Sequence, residues 1–117
     1  MNEAEDIGER EYTEIGRRYF LGTGTGIDWC EARRYLEKAP CDPEAMTMLA
    51  RIYDAGVGVK TDKGTVFALL KRAASLGNPE AEYRLGRMYL SGTYVRRNES
   101  EGYRLIGDAF TKGYVPE

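Results

Sequence analysis

Apolar residues recur three and four positions apart in six short runs divided by glycine- or proline-bearing breaks, a pattern that predicts six helices. The first helix extends from near Asp6 to about Leu21, with Ile7, Ile15, Tyr19 and Phe20 supplying apolar contacts. Gly22-Thr23-Gly24-Thr25-Gly26 ends it. The second follows Asp28, with Trp29, Ala32, Leu36 and Ala39 on one face and Tyr35 at its margin. Pro40 lacks a backbone N–H and stops this helix about half a turn early. Asp42 and Pro43 form the cap and first position of the third helix, which carries Ala45, Met46, Leu49, Ile52 and Tyr53 to about Ala55. Asp62 caps the fourth, which passes Val66, Phe67, Leu69, Leu70 and Ala73 to reach Leu76, and Gly77 suits the left-handed position that closes a helix. Asn78-Pro79 repeats the cap-plus-proline start for the fifth helix, which runs through Ala81, Leu85, Met88 and Tyr89 to about Ser91. Asn98 caps the sixth, which runs through Tyr103, Leu105, Ile106, Ala109 and Phe110 to about Lys112. Glu31 and Glu101, three residues after Asp28 and Asn98, have capping-box spacing.

The same residue types return at a fixed period, the signature of a repeat array. Moved 36 residues forward, Ala45, Leu49, Tyr53, Gly56, Ala73 and Gly77 fall on Ala81, Leu85, Tyr89, Gly92, Ala109 and Gly113. Moved 34 residues back, Tyr53, Gly56, Gly58, Asp62, Leu70 and Ala73 fall on Tyr19, Gly22, Gly24, Asp28, Leu36 and Ala39. The two-residue difference lies in the connector between Ala39 and Ala45. Helices of about 13 residues are marginal alone in water. Stacked copies share one continuous core, for which about three repeats are the usual minimum.

The residues in these slots are specific in combination. Ala50-x-x-Tyr53-x-x-Gly56-Val57-Gly58-Val59-x-x-Asp62, followed by Lys71-Arg72-Ala73-Ala74-x-x-Gly77-Asn78, resembles a Sel1-like repeat, a helix-pair family related to the tetratricopeptide repeat. Leu85-Gly86-x-x-Tyr89-x-x-Gly92 resembles it as well, and the resemblance covers roughly residues 11–117. It implies a single all-α, right-handed α-solenoid of three stacked helix-turn-helix repeats. Repeat 1 is expected at about residues 6–42, repeat 2 at 43–78 and repeat 3 at 79–113, with 114–117 a tail or the remnant of a further copy. The copies differ in places: Tyr94 replaces the second loop glycine, and Gly107-Asp108 stand where the middle copy has Lys71-Arg72.

Charge and composition narrow the function classes. A net charge of −2 with 31% charged residues is ordinary for a globular domain. No apolar run approaches the ~20 residues that span a bilayer, and Met1 to Asp6 do not resemble a secretory signal, so the expectation is a cytoplasmic protein without a membrane partner. Cys30 and Cys41, eleven residues apart, are expected on one helix at ~16 Å of rise, too far for a disulfide. Residues 1–14 carry a net −5, which either complements the positive end of a helix or folds over a basic surface as an internal competitor for ligand. Trp29 has no apolar counterpart in the other copies, which carry Lys63 and Glu99 in its slot, so it either covers the end of the stack or anchors a ligand.

The chain has no histidine, which removes the commonest general base and the imidazole–zinc arrangements, and two distant thiols do not form a zinc site. No cofactor and no metal are expected. The glycine-rich loop at 22–26 follows a helix rather than a strand and lacks the phosphate-loop lysine, so it reads as a turn between helices. The most suggestive feature is Arg17, Arg51 and Arg87, which share one slot in the three first helices. In helix-pair solenoids those helices line the concave surface, where the three guanidinium groups form a ladder and Arg18, Tyr83 and Arg84 stand beside it. Arginine pairs bidentately with carboxylates and stacks on aromatic rings. The expected function is a non-catalytic interaction module or adaptor for a protein or acidic peptide. In the competing reading each arginine keeps its helix soluble or pairs with a neighbouring acid. The alternatives are an amide or β-lactam hydrolase of the type linked to secreted cysteine-rich relatives, and a weak nucleic-acid binder using Arg96-Arg97. Solenoids need polar end caps, and no clearly polar cap follows the last helix pair. Self-association through the C-terminal end is therefore expected.

Overall fold

The computed structural model describes residues 8–116, and within them the chain forms six α-helices. They are α1 (Glu9–Leu21), α2 (Trp29–Leu36), α3 (Pro43–Ala55), α4 (Lys63–Ser75), α5 (Pro79–Ser91) and α6 (Glu99–Thr111). Successive helices pair as α1–α2, α3–α4 and α5–α6, and the pairs stack into an α-solenoid 49 Å long and 29 × 26 Å across.

Side-chain caps begin five of the six helices. Carboxylate or amide oxygens of Asp28, Asp42, Asp62, Asn78 and Asn98 accept from backbone N–H groups two or three residues on, at 2.9–3.2 Å. The capping boxes do not close, because Glu31 turns to Arg34 and Glu101 to Arg104. The start expected near Asp6, the contact expected from Ile7 and half of the acidic stretch, Glu3, Glu5 and Asp6, lie outside the described residues. Gly8 is the extended N-cap of α1 and makes no side-chain cap bond.

Gly22, Gly56 and Gly92 end α1, α3 and α5 at φ between 72° and 80°. Two residues on, Gly24 and Gly58 take the same left-handed region, and Tyr94 takes it in the third copy at φ 69°. Only α2 departs from 13 residues, with eight. It ends at Leu36, about a turn earlier than expected, because Pro40 lacks an N–H and also disfavours helical backbone at Ala39. Ala39 stays fully buried through a tight turn, its N–H donating to the Leu36 carbonyl at 3.0 Å. Cys41 consequently lies beyond α2 and not on one helix with Cys30, and both thiols are free and exposed.

The core has two parts that meet on α3. One joins Phe20, Ala32 and Leu36 to Leu49 and Ile52; the other joins Met46 and Ala50 to Val66, Leu70, Leu85 and Leu105. Seven of the 13 residues of α3 are buried, so the middle repeat is the one covered on both sides. Burying a side chain such as Leu contributes about 1.5–3 kcal/mol, which short helices cannot collect alone. Trp29 stacks on Phe20 at 4.5 Å and donates its indole N–H to the Phe20 carbonyl at 3.0 Å, so it covers the edge of the first core.

Candidate functional site

The arginine column first has a structural task. Arg17, near the middle of α1, pairs with Glu14 and with Glu44 in the first turn of α3. Arg51 repeats the arrangement one copy on, reaching Glu80 in the first turn of α5 at 3.6 Å while its guanidinium lies 4.8 Å over the Phe20 ring. A second series runs beside it. The Thr13 hydroxyl donates to the Asp42 cap at 2.8 Å, and the Thr47 hydroxyl to the Asn78 cap at 3.2 Å. α1 thus holds the start of α3, and α3 the start of α5, by a hydroxyl on its cap and a guanidinium on its first-turn acid.

In the third copy these positions do something else. The slot of Thr13 and Thr47 holds Tyr83, that of Asp42 and Asn78 holds Tyr114, and that of Glu44 and Glu80 holds Pro116. Tyr83 packs against Tyr114 at 5.3 Å between ring centroids and against Phe110 at 5.9 Å. Arg87 is exposed, lies 5.8 Å over the Tyr83 ring, donates to its hydroxyl at 3.4 Å, and has no acid at ion-pair distance among the described residues.

These groups border a cavity of about 700 Å3 between α3 and α5, closed at its ends by Leu21, by the loop at Thr93 and Tyr94, and by residues 114–116. Arg51, Arg84, Arg87 and Tyr83 line it. Its two carboxylates are engaged: Glu80 accepts from Arg84 at 2.8 Å and faces Arg51, and Asp54 accepts from the Tyr94 hydroxyl at 2.5 Å. That bond to a carboxylate pushes the Tyr94 phenol above its ordinary value, and burial does the same for Tyr114. Arg17 and Arg18 stand elsewhere. Arg17 is taken up by its two acids, and Arg18 lies at the end of α1 beside Ile15, Tyr19 and the 23–25 loop. Four of the six candidate residues therefore meet in one groove. Sequence reasoning missed Tyr94, Asp54 and Tyr114 as its lining. Tyr94 was marked by standing in a glycine slot, and Tyr114 by standing in a cap slot. Asp54 carried no mark, since nothing local to α3 points at a loop 40 residues away. Among the described residues no group of three or more His, Cys, Asp or Glu is arranged to hold a metal ion.

The helix pairs also match a known pattern. The Sel1 repeat family model matches residues 12–39, 43–78 and 79–107, one match per helix pair. The chain belongs to the Sel1 repeat family. Its Sel1 repeats are similar to those of a Sel1 repeat protein from Oxalobacter formigenes, with 33% identity and a TM-score of 0.77 over 91% of this chain and 81% of that one. They are also similar to c5321, a protective antigen of uropathogenic Escherichia coli strains with an SLR fold, at 27% identity and a TM-score of 0.81. That likeness covers 91% of this chain and 23% of c5321. Sel1 repeats generally act as protein–protein interaction modules.

Proposed function

We propose that this Sel1-repeat chain is a non-catalytic interaction module whose groove between α3 and α5 takes an acidic peptide segment of a partner protein. The observation that carries the reading is Arg87. It occupies the slot in which Arg17 and Arg51 hold an acid of the next repeat, yet has no such acid among the described residues and stands at the groove with Tyr83 beneath it. A guanidinium pre-oriented on an aromatic face is suited to a carboxylate, and charge-assisted hydrogen bonds are the stronger kind. The groove's size falls among ligand clefts of about 300–1,000 Å3. Its two carboxylates are already bonded, which favours display of a binding surface over acid–base chemistry.

The test is a titration of labelled Glu-containing peptides against the wild-type chain and against Arg87→Glu and Arg17→Glu. Arg87→Glu is expected to weaken binding at least tenfold with Tm unchanged. Arg17→Glu should lower Tm, by about 1 kcal/mol of stability, because it sets a third acid beside Glu14 and Glu44. Undiminished binding by Arg87→Glu would remove the groove from the reading, and turnover of a chromogenic β-lactam would favour the hydrolase alternative.

A further inference from the structure

The two junctions between repeats are filled in opposite ways. At the first, Phe20 at the end of α1 and Trp29 at the start of α2 stack on each other. The loop arriving from the second repeat brings only Gly58, where a Cβ would lie 2.6 Å from the Cys30 sulfur. At the second, the slots of Phe20, Trp29 and Cys30 hold Asp54, Lys63 and Gly64, and the slot of Gly58 holds Tyr94. The ring that the helix slots lack is supplied by the loop. The Tyr94 hydroxyl donates to Asp54, 40 residues away, at 2.5 Å, and Lys63 Nζ lies 5.7 Å from the centre of the Tyr94 ring.

Tyr94 holds this place against its own backbone. Among the described residues it is the one non-glycine with positive φ, a region in which a Cβ crowds the following carbonyl. Such conformations persist where surrounding contacts hold them, and they gather at ligand clamps. The turn itself does not need the tyrosine. Thr93 donates to the Met88 carbonyl at 3.1 Å and Asn98 to the Tyr89 carbonyl at 2.9 Å, and the first loop closes in the same way with Gly24 in the slot of Tyr94. What Tyr94 adds is a tie from the tip of the loop to Asp54, and both residues line the groove.

We propose that Tyr94 is a positioning residue for the groove, its bond to Asp54 fixing the 92–97 loop as the end wall against which a bound acidic segment is held. This rests on the groove reading above and names what sets the shape of that site. An acid facing a groove for acidic segments repels them, and the tie to Tyr94 is the use that the structure shows for it. Asp54 serves as an acceptor, and its charge is not what binding requires.

The experiment compares Tyr94→Phe, Asp54→Ala and Asp54→Asn with the wild-type chain, by amide hydrogen exchange and by titration of a labelled ten-residue peptide alternating Glu and Ala. Tyr94→Phe keeps the ring and removes the bond, Asp54→Ala removes acceptor and charge, and Asp54→Asn removes the charge alone. In Tyr94→Phe and Asp54→Ala the Thr93 and Asn98 amides are expected to exchange about tenfold faster, with the Leu85 amide in α5 unchanged, and the peptide to bind about fivefold more weakly. Asp54→Asn should keep wild-type protection and bind at least as tightly as wild type. The two Asp54 variants lose the same charge, which by itself would strengthen binding in both, so weakening by alanine alone isolates the wall. Wild-type exchange or wild-type affinity in Tyr94→Phe overturns the proposal, as does an Asp54→Asn that behaves like Asp54→Ala. A wild-type chain that binds no peptide overturns the groove reading, and the role of Tyr94 in binding with it.

Discussion

Thr13 and Asp42 are 29 residues apart in sequence and joined by a 2.8 Å hydrogen bond, the hydroxyl donating to the carboxylate that caps α3. Thr13 is fully buried and Asp42 nearly so, which makes this bond a joint between the first and second repeats. The Asp42 carboxylate also takes the Glu44 N–H and the Arg10 guanidinium, so one buried anion gathers α1 and α3 around it. Replacing Thr13 with valine keeps the volume and removes a partner from a buried acceptor, at a cost of about 1–3 kcal/mol. Thr47→Val, at the weaker 3.2 Å joint to an uncharged amide, is expected to cost less. Urea denaturation of the two variants side by side measures the difference.

The same carboxylate makes stability depend on pH. Burial pushes the Asp42 carboxyl up, but the Thr13 hydroxyl, the Glu44 N–H and Arg10 outweigh it, and the folded value lies below the ordinary one. A folded value lower than the unfolded one means that the ionised form favours folding. The contribution is present above the unfolded value of about 3.9 and is lost as pH falls through the lower folded value. Asp62, held low by the Thr65 hydroxyl, and Glu101, held low by Arg104, contribute in the same sense. Asp42→Asn retains a cap of the kind Asn78 provides, so its stability should fall less steeply than wild type between about pH 5 and pH 2. Parallel acid-denaturation curves for the two proteins would contradict this.

Gly86 and Gly102 lie where the backbones of α5 and α6 approach closely. A Cβ on Gly86 would lie 2.8 Å from the Gly102 carbonyl oxygen, and a Cβ on Gly102 would lie 2.8 Å from that of Gly86. Because the obstacle is backbone, the helices must separate to admit even a methyl group. Gly86→Ala is expected to destabilise by about 1–3 kcal/mol, although alanine is the better helix former. Thermal melts check it, and an unchanged or raised Tm would show that α6 can move.

The sequence leads to the expectation of self-association through the third helix pair. Head-to-tail stacking of two copies would bring Arg10, which occupies the slot of Glu44 and Glu80, against Arg87, and would seat α1 on Phe110 where the second repeat has Ala74. Like charge and an added ring both oppose the joint that the other repeats use. We therefore expect a monomer by light scattering at about 50 µM, a concentration at which contacts weaker than Kd ~10⁻⁴ M leave most chains free. A dimeric mass that Arg87→Glu strengthens would show that the copies stack after all.

Local chemistry made much of the fold readable. Asp28, Asp42, Asp62, Asn78 and Asn98 announced helix starts because a short side-chain acceptor satisfies N–H groups only two or three residues away. Gly56 and Gly92 announced helix ends because their φ is positive. The end of α2 was harder to place, since Pro40 acts on the residue before it as well as on its own missing N–H. Of the candidate site, Arg51, Arg84, Arg87 and Tyr83 were nameable from their slots, whereas Arg18 shares the residue type and not the groove.

What the sequence determined by itself is what repeats and what is short-range: six helices, their caps, the period, the family, and an arginine in the same place three times. Only the tertiary structure decided what each arginine does. Arg17 and Arg51 are consumed by Glu44 and Glu80 because the next repeat brings those acids to them, and Arg87 meets no such acid among the described residues, where the third repeat has tyrosines and a proline in the matching slots. A periodic sequence makes these residues look equivalent, and their environments differ because an ion pair depends on which helix is stacked next, a relationship that spans about 30 residues and has no local signature.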